Sequence, residues 1–201
     1  GLTAHYLLYK TYKVSAGETI LFHAAAGGVG QIFCQWAKSI GCKVIGTVGS
    51  DSKIDIAKKN GCDFVINYNK ESFDQKVLEI TENRGVGVVY DGVGKDTFKQ
   101  SLACLKFRGL MVSFGQSSGM VERVDLHETF NPKSLYYTRP TLMHYNSSKQ
   151  ELETSSNTLF KKINDSQIRP NINEIFKLKD AEEAHKKLQS RKTIGSLLLK
   201  P

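Results

Sequence analysis

The residues best placed to do chemistry form one run, Ala24-Ala25-Ala26-Gly27-Gly28-Val29-Gly30, which follows a short apolar segment and opens the stretch QIFCQWAKSIG. Glycine here lets a backbone approach a pyrophosphate and lets a helix pack tightly on the preceding strand. The helix N-terminus then offers unpaired N–H groups and a partial positive charge to phosphates. Aligned on Gly27 and Gly30, the pattern G-x-G-x-x-G carries Ala25 where the first glycine is usual. A glycine-rich turn alone serves packing as readily as binding. Between a strand and a helix, it predicts a dinucleotide site.

The end of the next strand-like run decides which dinucleotide. An NAD site normally places Asp or Glu there, ~20 residues on, to hold the adenosine ribose hydroxyl. This chain reads Thr47-Val48-Gly49-Ser50, with no acid before Asp51, which is expected to cap the following helix. The small Ser50 and the nearby Lys53 suit a 2′-phosphate, so NADPH is expected over NADH. Two further loops follow strand ends, Asp91-Gly92-Val93-Gly94 and Gly115-Gln116-Ser117-Ser118-Gly119. Both fall where the ribose and nicotinamide would lie. No G-x-S-x-G elbow, H-E-x-x-H helix or P-loop lysine motif is present. No histidine is nominated as catalytic, His23 beside the glycine loop included. Hydride transfer asks for positioning more than for acid–base groups.

The elements that must hold these loops alternate in texture. Strand-like runs are expected at Thr19–His23, Lys43–Val48, Phe64–Ile66, Val86–Tyr90, Leu110–Phe114 and Leu135–Thr138. Helix-like stretches are expected at Gly28–Ile40, Asp51–Asn60, Ser72–Asn83, Lys95–Leu105 and 149–165. Such alternation implies an α/β fold with a doubly wound parallel six-stranded sheet. Ser72 is expected at an N-cap, and Gly41 and Gly61 just past helix ends. Strand, helix (Asp180–Gln189) and strand (Ser196–Leu199) close the chain, and the last strand finds no partner in a six-stranded sheet.

Composition agrees with a globular α/β chain: 201 residues, 40% hydrophobic and 24% charged. No apolar run approaches the ~20 residues that cross a bilayer, so a cytoplasmic protein without a membrane partner is expected. Cys34, Cys42, Cys62 and Cys104 form no C-x-x-C pair and no ligand cluster, so no metal site is expected. The net charge of +8 favours an anionic partner, be it a phosphorylated cofactor, RNA or an acidic surface. The start at Gly1 without an initiating Met reads as a cut inside a longer protein or as processing.

The runs AAAGGVGQIFCQWAKSIGCKVIGTVGS, INY at Ile66–Tyr68, VVYDGVG at Val88–Gly94, RGLMVSFGQSSG at Arg108–Gly119 and LYYTRPTL at Leu135–Leu142 resemble the zeta-crystallin-like quinone oxidoreductases. These form a zinc-independent branch of the medium-chain dehydrogenase/reductase superfamily. The resemblance covers essentially the whole chain. It implies a Rossmann nucleotide-binding domain over 1–165 and a segment 166–201 that returns to a GroES-like domain not contained here. It places cofactor phosphates on Gly27, Gly28 and Val29, and the 2′-phosphate among Ser50, Lys53 and Tyr68. It also brings Arg191 to the cofactor, Thr3 near the nicotinamide, and Gly92, Ser117 and Ser118 beside it. Gly92 and Gln116 depart from the pattern, since relatives often carry Ser and Asn there. The implied activity is NADPH-dependent reduction of quinones by a homodimer joined through Leu135–Leu142. An alkenal or enone reductase and a non-catalytic RNA-binding protein are the alternatives.

Overall fold

A computed structural model of the chain describes residues 1–190 and 193–201. Six strands pair in parallel, the first four rich in β-branched residues: β1 (Thr19–Phe22), β2 (Lys43–Val48), β3 (Phe64–Asn67), β4 (Val86–Asp91), β5 (Leu105–Ser113) and β6 (Tyr136–Thr138). Their spatial order is β3-β2-β1-β4-β5-β6. A parallel pair cannot be joined by a hairpin, so the chain crosses a face of the sheet between neighbours. The order reverses between β1 and β4, which opens a crevice beyond their carboxyl ends.

The connecting and flanking helices are α1 (Leu2–Tyr6), α2 (Gly28–Ile40), α3 (Ile54–Lys59), α4 (Phe73–Ile80), α5 (Phe98–Ala103), α6 (Leu126–Phe130), α7 (Leu142–Tyr145), α8 (Lys149–Asn164) and α9 (Ala181–Gln189). Side chains alternate across each strand, and both faces are buried. From β1, Ile20 and Phe22 join Phe33 and Trp36 of α2 and Leu159 of α8. Leu21 points the other way, into a second core with Ile45, Phe73, Val77 and Phe98. The Phe22 and Phe33 rings stack at 4.2 Å. Gly41 (φ 98°) and Gly61 (φ 101°) adopt the left-handed backbone expected where their helices stop. Helix α8 starts on a capping box, in which Ser148 and Glu151 each satisfy the other's backbone amide.

Local chemistry corrects several expected boundaries. Strand β5 begins at Leu105, opposite Val86, loses register, and resumes at Leu110 opposite Val88. Arg108 takes a left-handed backbone (φ 58°) inside this irregular stretch, which ends α5 at Ala103 rather than at Leu105. The helix expected from Asp51 opens as a tight 3₁₀ turn, Asp51–Lys53, before α3. Ser72 occupies the N-cap of α4, but its hydroxyl donates to the Asp74 carboxylate at 2.6 Å instead of capping the helix.

The closing strand is not unpartnered. Strand β8 (Ser196–Lys200) pairs in parallel with β7 (Ile172–Lys177) in a two-stranded sheet, with α9 as the crossover. Just before β8, Gly195 forms a parallel bridge with Gly27, tying this segment to the glycine loop. Among the described residues, no helix is long and apolar enough to cross a membrane.

Truncating Phe22 to alanine removes a fully buried ring from the joint between β1 and α2. The expected cost is about 3–5 kcal/mol, seen as a lowered urea midpoint with an unchanged slope.

Candidate functional site

The glycine loop is tight because three residues give up space for one another. Ala24 lies in the left-handed region (φ 56°) and accepts the Gly27 amide at 2.9 Å. The Ala25 amide donates to the Thr47 carbonyl on β2 at 3.0 Å. Ala25 is fully buried, and a Cβ on Gly46 would come within 2.7 Å of its methyl group. The strand thus supplies at Gly46 the room that the loop lacks at Ala25. A Cβ on Gly30 would lie 2.5 Å from the Ala24 carbonyl oxygen, so α2 can seat against the loop only with glycine there. Gly27 is the N-cap and brings no capping side chain, which leaves the first-turn amides of α2 to an outside acceptor.

A crevice of about 470 Å³ runs past this loop. On the β2 side it is lined by Val48, Lys53, Tyr68 and Asn69, and on the β4 side by Val93, Asp96, Thr97, Gln100 and Ser117. Ala24, Ala26, Gly27 and Thr193 lie between, and Phe73 completes the lining. Tyr68 presses on Gly49 so closely that a Cβ there would meet its hydroxyl at 2.6 Å. Asn69 donates to the Gly49 carbonyl at 2.8 Å. Asp51 does not cap a helix as expected. Its carboxylate accepts from Asn67 and Lys70, and Lys70, then Asn67, hold it below the usual carboxylate range. The one acid near the end of β2 is therefore engaged away from the crevice, where Lys53 and Asp96 are the charged residues of the described lining.

Below the β4 side lies a buried polar network. The fully buried Asp91 accepts the Val93 and Gly94 amides at 2.7 and 3.0 Å. Its second oxygen accepts the Thr97 and Ser101 hydroxyls at 2.7 and 3.3 Å. His23 reaches Ser101 through Nε2 at 2.9 Å and Thr47 through Nδ1 at 2.8 Å. With the Ser101 hydroxyl donating to Asp91, Nε2 must carry the proton and Nδ1 must accept from Thr47. Burial pushes His23 below the ordinary histidine range, against the opposing pull of Asp91. It links β1, β2 and α5 through its two ring nitrogens. Ser118 joins the two loops, its hydroxyl donating to the Val93 carbonyl at 2.8 Å and accepting the Asp96 amide at 3.1 Å.

A second depression of about 490 Å³ lies at the β5–β6 side, lined by Thr3, Tyr6, Phe114, Arg139, Pro140, Thr141 and Leu142. Phe114 stands against Gly92, where a Cβ would approach its ring to 3.0 Å.

The residues singled out in the sequence distribute as follows. Gly27, Lys53, Tyr68 and Ser117 line the crevice, while Gly28 and Val29 form the first turn of α2 and are not among the described lining residues. Ser50 pairs with Ser52 at 2.9 Å and is not part of the lining. Gly92 and Ser118 shape the β4 and β5 loops, while Thr3 belongs to the second depression. Arg191 lies outside the described residues. Asn69, Phe73, Gln100, Phe114 and Arg139 were not singled out. Only Phe114, at a strand end before glycine, carried a signal.

The zinc-binding dehydrogenase family model matches residues 28–161. The chain is similar to a quinone oxidoreductase of Salmonella typhimurium, at 53% identity over all of this chain and 62% of the relative. It is also similar to a 2-haloacrylate reductase of Burkholderia sp, at 43% identity over all of this chain and 61% of the relative. The crystal structure of Escherichia coli quinone oxidoreductase complexed with NADPH superimposes with a TM-score of 0.96 at 51% identity, covering all of this chain and 62% of that one. The chain thus spans less than two thirds of the relatives it matches. Among the described residues, no group of three or more His, Cys, Asp or Glu could hold a metal ion.

Two outcomes follow from the loop and the network. Ala24→Gly relieves a left-handed alanine and is expected to raise stability by up to about 1 kcal/mol, measured as a higher urea midpoint. The unfolded chain protonates His23 before the folded one does. The stability this residue contributes above about pH 6.5 is therefore lost as pH falls toward its depressed folded value. Thermal midpoints measured from pH 7.5 to 5.5 should fall less steeply in His23→Gln than in the parent.

Proposed function

The chain belongs to the zinc-binding dehydrogenase family, and from that membership we propose that it is the NADPH-binding domain of a reductase for quinones or related electron-poor small molecules. The observation that carries this reading is the crevice at the carboxyl ends of β1, β2 and β4. It joins an uncapped helix N-terminus to Lys53 and Tyr68, with Asp51 drawn aside by Asn67 and Lys70. The cofactor supplies the hydride. The amides of Gly28 and Val29 bind its pyrophosphate, and Lys53 offers positive charge to a 2′-phosphate that an NAD-type acid would repel. Ser50, two residues past β2, and Arg191 from the C-terminal segment join that phosphate site. Ser117, Gly92 and Thr3 then orient the nicotinamide end.

The reading extends to organisation. Residues 1–165 form the nucleotide-binding domain, and 166–201 pack toward a further domain that closes the acceptor site. Exposed apolar residues on the closing sheet support that division, among them Ile172, Ile175, Leu198 and Leu199. The 201 residues alone then bind NADPH weakly and turn over little. Strand β6 is short, lies at the sheet edge and exposes Tyr136 and Tyr137. It fits a homodimer contact through the strand near Leu135–Leu142, its open edge pairing with that of a second copy. A second reading, reduction of an activated alkene, is favoured by the similarity to a 2-haloacrylate reductase. It uses the same cofactor site.

Titration with NADPH and NADH, of this chain and of the full-length protein, tests the proposal. Tighter binding of NADPH, with the preference reduced about tenfold or more in Lys53→Ala, is the expected result. Absence of binding to both nucleotides by the full-length protein would overturn it.

A further inference from the structure

The depression at the β5–β6 side has a composition unlike the crevice. Tyr6 and Phe114 bring aromatic surface to it, Leu142 adds aliphatic surface, and Thr3 supplies a hydroxyl. Among the described residues, Arg139 is the single charged one of its lining. The guanidinium donates from Nη1 to the Ser113 carbonyl at 3.0 Å and from Nη2 to the Gln116 side-chain oxygen at 2.8 Å. Both partners are neutral, and among the described residues no carboxylate forms a salt bridge with Arg139. A guanidinium has five N–H groups in a rigid fork. Two are used to fix its direction, and the remaining ones keep a full positive charge beside an aromatic, otherwise neutral wall.

We infer that Arg139 anchors a negative charge on the electron acceptor, so that the depression selects planar electron-poor carbonyl compounds bearing a sulfonate or carboxylate. The inference rests on the reductase reading and adds the acceptor class to it. Phe114 lines the depression and also stands against Gly92, the residue before Val93 of the crevice lining, so the depression borders the loop that follows β4. A ring lying against Tyr6 and Phe114 projects an anionic substituent toward the guanidinium. The two hydrogen bonds that hold Arg139 are made to β5 and its following loop. Charge recognition is therefore coupled to the same loop that carries Ser117.

The test uses the full-length enzyme in the presence of NADP⁺ and a matched pair of probes, anthraquinone sulfonate and its neutral hydroxymethyl analogue. Binding is read by calorimetry and turnover by NADPH oxidation. The parent is expected to bind the sulfonate about tenfold more tightly than the neutral probe, with the preference weakening as salt rises. Arg139→Met should abolish the preference, and Arg139→Lys, which keeps the charge but not the fork, should retain part of it. Equal weakening of both probes in Arg139→Met would mean that the arginine only braces the loop, and would overturn the inference. An unchanged preference would overturn it as well. An enzyme that takes up NADPH but shows no charge preference refutes the role of Arg139 alone. One that takes up no NADPH refutes this role together with the reading beneath it.

Discussion

A parallel sheet buried on both faces has no exposed surface on which to build a site except its ends. Here that constraint is set by β1, whose Ile20 and Phe22 belong to one core and whose Leu21 belongs to the other. With the middle strands fully committed to packing, the loops that follow their carboxyl ends carry the chemistry. The reversal of strand order between β1 and β4 prevents those loops from crowding one another. The crevice, the glycine loop and the second depression all take their positions from this arrangement.

Within the constraint, the loops are held by two different kinds of force. On the β1–β2 side the fit is steric, with Gly30, Gly46 and Gly49 each leaving a gap that a neighbour fills. On the β4–β5 side it is polar. Asp91 is removed from water, and its burial is tolerable because four donors surround it. His23 extends that network back to β2, so both halves of the crevice are joined through one neutral imidazole. Burial of this kind makes the network intolerant of partial loss, since each missing partner leaves a buried group unpaired.

Charge is arranged by exclusion as much as by attraction. The acid closest to the end of β2 is bound by Asn67 and Lys70, and this leaves Lys53 to set the sign of that end of the crevice. In the second depression Arg139 is oriented by two neutral acceptors.

The sheet is written locally, because apolar β-branched runs and glycine-punctuated helices are signals that survive without tertiary contacts. Helix α2 and strand β2 end where the residues say they should. The glycine loop and Lys53 were legible for the same reason, as types at a fixed spacing from a strand end, whereas Tyr68 was named only through the family resemblance. Other features arise between residues far apart in the chain. Gly46 makes room for Ala25, Asp51 turns to Lys70, β8 finds β7, and Arg139 reaches Ser113 and Gln116. These pairings follow from the packing of strands and loops, and no single segment encodes them. The irregular start of β5 escaped the sequence because Lys106 and Arg108 break the apolar run that marks a buried strand, while pairing with β4 keeps the backbone extended at Leu105.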